Sequence, residues 1–341
     1  IPDEDDMQRR SLLRLLSVLG PGAAISASTI DAVHVGLRQI TGEPVDRDVD
    51  DWEQVAWDYA QGVWTDLSGS RSADLAADIH DLSRHITRTT DEGERAALLR
   101  VYAQLSAFLA LDLPLIAGPR ACWRAWSAAR AAADASGDRD LAVWVRAREA
   151  TESYYMQRLG PAAENLVAEA IELAGGRPCL GMVNALSARS RMLAAQGQAD
   201  AARRALGEFK DAYATLPAQV TSDRVSVWGK PLTEVLWVEG WVLTRIGDVG
   251  RATSLLEQAL AATATERVGA KANLILLQMW CAIQEGEVKE GLDRAVQVTQ
   301  SLPVTPTRRR IVGDILDNLP EKVRALPAAR ELRALVSPAA A

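Results

Sequence analysis

The chain has 341 residues, of which 48% are hydrophobic and 24% are charged, and its net charge at neutral pH is -7. No stretch approaches the roughly 18 unbroken apolar residues of a membrane span, and the acidic balance gives no overall attraction to nucleic-acid phosphates. The cysteines are odd in number and far apart, which argues against a disulfide framework and favours the cytoplasm. They are Cys122, Cys179 and Cys281.

The N-terminal segment, residues 5–27, has two interpretations. Its sequence DMQRRSLLRLLSVLGPGAAISAS has the paired arginines, apolar run and small residues of an export signal. However, Arg14 interrupts the apolar run, and acidic residues stand where a signal peptide is basic. Apolar side chains recur at the period of an amphipathic helix, at Met7, Leu12, Leu15, Leu16 and Leu19. We therefore predict a linker and helix over 1–27 and keep export as the alternative.

The remaining residues, 28–341, are predicted to form a single helical domain. Helix-forming Ala, Leu, Arg and Glu dominate, and no alternating run of β-branched residues indicates a strand. The predicted helices before the first turn glycine, Gly160, are 28–41, 48–66, 71–89, 93–111, 118–136 and 138–159.

From residue 138 to 303, helical segments alternate with glycine-containing turns, as in tetratricopeptide repeats of about 34 residues. The turn glycines are Gly160, Gly197, Gly247 and Gly286. The unit LWVEGWVLTRIGDVGRATSLLEQALAA matches best, with Gly240, Ala252 and Ala259 at positions where small residues let two helices pack closely. Residues 215–231 are an insertion rich in turn formers. The predicted fold is an all-α, right-handed, tetratricopeptide-like helical solenoid.

The order of these elements carries a resemblance to a known family. The sequence runs from MQRRSLLRLL through DWEQVAWDYAQGVW and ADLAADIHDLSRHI to a closing TPTRRRIVGDIL. This order resembles the C-terminal regulatory region of bacterial XRE-type transcriptional regulators. The resemblance implies a helix-turn-helix domain upstream of Ile1, through which alone DNA is bound, and we expect a homodimer. The arginines of TPTRRR are expected to be solvated in the first turns of a closing helix, or to contact that upstream domain.

No pattern in the sequence indicates catalysis, a metal or a cofactor. His80 and His85 fall on different faces of a helix, and His34 is remote from both. None of the cysteines lies in a nucleophile motif, and no glycine-rich phosphate loop follows a strand. We therefore predict that the protein is not an enzyme, has no cofactor and has no metal site.

The candidate site rests on tryptophan, of which the chain has 10 against only 2 phenylalanines. In tetratricopeptide repeats, set positions of each first helix face a groove, and counting back from the turn glycines assigns these positions here. The predicted ligand-binding residues are Tyr154, Asn184, Arg191, Trp237, Trp241, Arg245, Asn273 and Trp280. Large rings with a few amide and guanidinium donors are typical of sites for small ligands or peptides. The alternative is that these rings pack on residues 215–231 or on a closing helix.

The predicted function is a ligand-sensing and oligomerisation domain of a cytoplasmic transcriptional regulator. A small-molecule or peptide effector in the groove would touch several helices and favour one curvature of the solenoid. Two alternatives remain: a scaffold that binds a partner helix or peptide in the same groove, and an exported repeat protein. No membrane partner is expected.

Overall fold

The structure is a computed structural model that describes residues 47–63, 69–158 and 160–337. Within these ranges 79% of the residues are helical, with 16 α-helices and no strand. The predicted all-α class is therefore confirmed for the described part of the chain. The predicted helix at 28–41 and the boundary between residues 27 and 28 lie outside the described residues.

The bounds of the helices, in chain order, are α1 (Val49–Gly62), α2 (Ser72–Arg88), α3 (Glu92–Asp112), α4 (Gly118–Ser136), α5 (Arg139–Tyr155), α6 (Pro161–Ala174), α7 (Leu180–Ala195), α8 (Ala199–Ala214), α9 (Ala218–Ser222), α10 (Leu232–Arg245), α11 (Val249–Ala262), α12 (Val268–Gln284), α13 (Val288–Gln300), α14 (Pro306–Asp317), α15 (Glu321–Arg324) and α16 (Pro327–Val336). A single 3₁₀ turn, Leu113–Leu115, follows α3. The predicted helices at 71–89, 93–111 and 118–136 agree with α2, α3 and α4. For the predictions at 48–66 and 138–159, α1 ends at Gly62 and α5 at Tyr155, and residues 64–66 and 159 lie outside the described residues.

Contacts divide the chain into two units, with the boundary between Glu53 and Gln54. All of the features described below lie in the second unit. None of the helices in the described ranges is long and apolar enough to cross a membrane. The three cysteines are free and buried.

From α5 onward, neighbouring helices pack in pairs: α5 with α6, α7 with α8, α10 with α11, α12 with α13, and α14 with α16. We call the first helix of each pair an A helix and the second a B helix. Successive A helices also contact one another, and the last of them, α14, packs against the first, α5. The contacts between A helices therefore form a closed circuit, and residues on these helices can meet although they are distant in sequence.

Three of the four predicted turn glycines adopt the backbone conformation that favours glycine. Gly197, Gly247 and Gly286 have φ values of 74°, 81° and 105° in the turns that join an A helix to its B helix. Gly160 differs, because its φ of 174° is extended and it immediately precedes α6. In that connection the positive φ of 58° falls on Gln157 instead.

Close packing of α10 on α11 confirms the predicted small positions. A Cβ atom placed on Gly240 would lie 2.7 Å from the Leu256 side chain of α11. Ala252 and Ala259, on the facing side of α11, are fully buried. A larger side chain at any of these three positions would push the two helices apart.

The insertion at 215–231 contains the short helix α9 and an irregular segment that joins the repeats to the earlier helices. The Val227 amide donates a hydrogen bond of 3.0 Å to the carbonyl of Ala60 in α1. The Trp228 ring packs on Trp144 of α5 and on Phe108 of α3, with centroid separations of 4.7 and 6.1 Å. The insertion therefore holds α1, α3 and α5 together.

Candidate ligand-binding site

Aromatic side chains from α5 and α10 form a cluster at the centre of the contacts between A helices. The Trp241 ring stacks on Tyr155 at 5.6 Å and meets Tyr154 edge-on at 5.6 Å. Trp237, one helical turn earlier, is edge-on to Trp241 at 5.1 Å. We call these four residues the aromatic cluster, and their contacts bind α10 to α5 although the two helices are not neighbours in sequence.

Charged groups from α7, α10 and α14 surround this cluster. Arg191 donates to the Ser187 hydroxyl at 2.8 Å and to the Tyr155 hydroxyl, with its guanidinium 5.9 Å from the Trp241 ring centroid. Asp314, which is buried, forms ion pairs with Arg245 and, at 3.1 Å, with Arg310. One carboxylate from α14 thus holds guanidinium groups from two different A helices.

The central groove positions of four successive repeats are covered rather than exposed. Tyr154, Arg191, Trp241 and Trp280 are each at most 4% exposed. For Tyr154 the physical reason is that α14 packs against α5 and brings Arg310 to 4.7 Å from the Tyr154 ring centroid. The prediction that these four side chains line an open wall is wrong. The alternative, packing on a closing helix, applies to Tyr154, whereas Arg191 and Trp241 contact side chains of α5.

Two of the three arginines of TPTRRR are buried, which corrects the prediction that this run is solvated. Arg308 is 2% exposed and Arg310 is 7% exposed. A signal for this was present, because Arg308 lies on the same helical face as the buried Ile311, Val312 and Ile315 of α14. The apolar spacing outweighs the charge of the arginine run.

An open cleft of about 640 Å³ adjoins the aromatic cluster. Its walls come from α5, α10, the first turns of α12 with the turn before it, the segment from Leu302 to Arg308 that leads into α14, and residues at the ends of α1 and α3. The volume lies within the range of roughly 300 to 1,000 Å³ that is usual for small-molecule sites. Of the eight predicted residues, Trp237 and Asn273 line this cleft.

Most of the charge in the cleft is compensated by ion pairs. Arg148 pairs with Glu152 at 2.6 Å, and Arg267 pairs with Glu234 at 3.2 Å. Arg308 differs, since within the described ranges its partners are the carbonyl oxygens of Pro303 and Gly269 and no carboxylate lies within ion-pair distance. Burial lowers the pKa of the Arg308 guanidinium, which nevertheless stays protonated in water.

Asn184, another predicted site residue, belongs to a second, much smaller pocket of about 30 Å³. Its side-chain oxygen accepts a hydrogen bond of 3.0 Å from the Lys230 ammonium, which is buried at the end of the insertion. Burial lowers the pKa of Lys230 to about 8, and the nearby Glu234 offsets part of this effect. The remaining predicted residue, Arg245, lies against the Trp280 ring at 5.7 Å as well as on Asp314.

The lowered pKa of Lys230 predicts a pH-dependent stability difference between the wild type and Lys230→Met. The unfolded lysine titrates near 10.5, so between pH 8 and 10.5 the unfolded state binds a proton that the folded state has released, and folding gains stability as pH rises. The unfolding free energy of the wild type, relative to the variant, should therefore rise by about 2 to 3 kcal/mol from pH 7 to pH 10.

Urea denaturation at both pH values measures this difference. Lys289→Met is the matched control, because its side chain is 89% exposed. The control should show no such change. A difference between the wild type and Lys230→Met that stays constant from pH 7 to pH 10 would contradict the assignment of a buried, destabilised ammonium at Lys230.

Among the residues that the structure describes, no three His, Cys, Asp or Glu side chains lie together as metal ligands. Comparisons of the chain with models of protein families, with curated proteins and with solved structures found no match.

Proposed function

We propose that this chain is the ligand-sensing and oligomerisation domain of a cytoplasmic transcriptional regulator of the XRE type. In this proposal its helix pairs form a right-handed, tetratricopeptide-like solenoid, it acts as a homodimer, and DNA is bound by a helix-turn-helix domain elsewhere in the natural protein. The observation that supports the proposal is the cleft of about 640 Å³. Residues of α5, α10 and α12 line it, together with the segment that leads into α14, so four A helices border one cleft. A ligand in that position would contact the elements whose spacing sets the curvature of a solenoid.

The ion pairs of Asp314 provide a way for ligand binding to change the shape of the solenoid. They join α14 to α10, and the segment that begins α14 is also a wall of the cleft. A ligand with different affinities for two spacings of α12 and α14 would shift the population toward the one it prefers. This shift would change the spacing of the attached DNA-binding domains.

The carboxylate side chains that line the cleft are suited to ligand binding rather than to catalysis. Glu152 is held by Arg148 and Glu234 by Arg267, so both carboxylates are engaged as partners of guanidinium groups. A general base is more effective when its pKa lies near the operating pH, whereas the two arginines and Lys230 keep the pKa of Glu234 below its usual value.

Filling the cleft is the experiment that tests the proposal. Ala270 is half-buried in the first turn of α12 and lines the cleft, so Ala270→Trp should occupy it. Ala261→Trp is the matched control, at an exposed position near the end of α11. Wild type and control should be stabilised by a ligand, by about 2.7 kcal/mol at a hundred times its Kd, whereas Ala270→Trp should not.

The ligand is sought in two ways: by native mass spectrometry of the purified protein, and by thermal-shift screening of amphipathic acids, amines and neutral compounds. Equal stabilisation of wild type and Ala270→Trp would contradict the proposal. A small-molecule screen without any hit, together with a helical peptide whose binding Ala270→Trp abolishes, would favour the protein-interaction scaffold instead.

A further inference from the structure

We propose that the cleft recognises an amphipathic oxyanion, with the acidic head between Arg308 and the first turns of α12 and α14. This inference rests on the proposed function and names the chemical class of its ligand. It depends on one buried guanidinium, on the start of two helices and on the apolar wall beside them.

Arg308 is a buried cation whose counter-charge is absent from the described residues. A guanidinium has five N–H donors, and the structure assigns acceptors to two of them, the carbonyl oxygens of Pro303 and, at 3.4 Å, Gly269. Its Nε is buried with no hydrogen-bond partner in the described ranges. Because an uncompensated buried charge is costly, an anion that reaches Arg308 from the cleft would be bound strongly.

Two helix N-termini border the same region of the cleft. Gly269 and Ala270 are in the first turn of α12, and Thr307 is in the first turn of α14; all three line the cleft. No side chain caps α12, and the Thr305 hydroxyl that caps α14 accepts from the Arg308 amide. For the other first-turn amides named here, the described part of the chain offers no acceptor. Such amides, at the positive end of the helix dipole, favour an oxyanion.

The wall next to this anion site is apolar and has one open acceptor. Trp237, Leu274 and Leu302 line the cleft beside the start of α12. Asn273, one turn after Gly269, has a buried side-chain oxygen with no hydrogen-bond partner among the described residues. The arrangement suits a ligand with an apolar body, an acidic head and an N–H or O–H donor near the head.

The other charged side chains of the cleft do not neutralise the charge of Arg308. Arg148 and Arg267 are paired with Glu152 and Glu234. The remaining acid in the lining, Glu266, is exposed to solvent, so water and salt screen its field. The interior of the cleft therefore carries a positive charge that an anionic ligand would neutralise.

The test uses the neutral fluorophore N-phenyl-1-naphthylamine as the reporter of the cleft, displaced by decanoate or by decanol. The two competitors share an apolar chain and differ in the acidic head. Decanoate should displace the reporter from the wild type at a concentration lower by about tenfold or more than decanol, as expected for hydrogen bonds to a charged group. In Arg308→Met this preference should disappear, with decanol affected by less than about twofold.

Three controls make the outcomes distinct. Arg204→Met removes an exposed arginine in α8, away from the cleft, and should leave the preference for decanoate unchanged. Ala270→Trp should abolish binding of the reporter. Circular dichroism and thermal melting establish that each variant folds, and if Arg308→Met does not fold, the preference of the wild type itself decides the matter.

Each result either supports or overturns the inference. Reporter binding that survives Ala270→Trp, or no binding to the wild type, overturns both the proposed function and this inference. Binding that Ala270→Trp abolishes, but without a preference for decanoate, overturns the oxyanion site alone. A preference that persists in folded Arg308→Met also overturns the assignment to Arg308 and leaves the proposed function standing.

Discussion

Replacing Asp314 by Ala is expected to lower the free energy of unfolding by about 3 to 5 kcal/mol, the usual cost of removing one partner from a buried ion pair. Asp314 is buried in α14, and its carboxylate faces guanidinium groups of Arg245 and Arg310. Without it, two largely buried positive charges would lie close together with no anion between them. Because these charges repel each other, the packing of α14 against α5 should weaken.

Asp317→Ala is the matched control, because Asp317 lies one turn later in the same helix and is exposed. Its effect is expected to stay within about 0.5 kcal/mol. Urea denaturation of the three proteins at neutral pH measures both effects. Equal, small losses for the two variants would mean that Asp314 does not hold α14 in place.

Trp241→Ala should cost about 3 to 5 kcal/mol of stability, as expected for removing a buried aromatic ring and leaving a cavity. Trp241 is fully buried, stacks on Tyr155 and meets the rings of Tyr154 and Trp237. Its ring therefore belongs to the core that joins α10 to α5. We expect the main effect of Trp241→Ala on the free energy of unfolding rather than on ligand binding.

Trp57→Ala supplies the comparison for this variant, since the Trp57 side chain is 51% exposed. The two substitutions delete the same atoms from sites of opposite burial. Thermal melting and urea denaturation should show a large loss for Trp241→Ala and less than about 1 kcal/mol for Trp57→Ala. Comparable losses would show that burial of Trp241 in the aromatic cluster is not what stabilises the fold.

The local features of the repeats could be predicted from sequence because they depend on neighbouring residues. A positive φ at Gly197, Gly247 and Gly286 is a property of a single turn, and glycine is the residue that adopts it without strain. The approach of α10 to α11 depends on Gly240, which is close in sequence to the helix it touches. These positions follow from helical periodicity and residue size.

The covering of the central groove positions could not be predicted in this way. At Tyr154 it depends on α14 reaching α5, and at Trp241 on α10 reaching α5, which are contacts between segments that are far apart in the chain. Periodicity assigns Tyr154 and Trp241 to a face of their helices, but it does not say whether another helix covers that face. The partner that covers it, with Arg310 and Asp314, lies in a segment whose charges suggested exposure to solvent.

For the same reason, the sequence predicts only some of the residues that line the cleft. Trp237 and Asn273 were identified from their repeat positions, because both lie on A helices with regular turns. Arg308 was missed, because its place in the cleft comes from the start of α14, after the last regular repeat. A sequence signal for its burial exists in the spacing to Ile311 and Ile315, and it outweighs the three consecutive arginines.

A crystal structure of the protein saturated with decanoate tests the central claim most directly, because it places the acidic head and the apolar chain separately. The predicted result is a chain lying against Trp237 and a carboxylate within about 2.7 to 3.2 Å of the Arg308 guanidinium and of an amide in the first turn of α12. Decanoate bound outside the cleft, or a carboxylate turned toward solvent, would contradict the account.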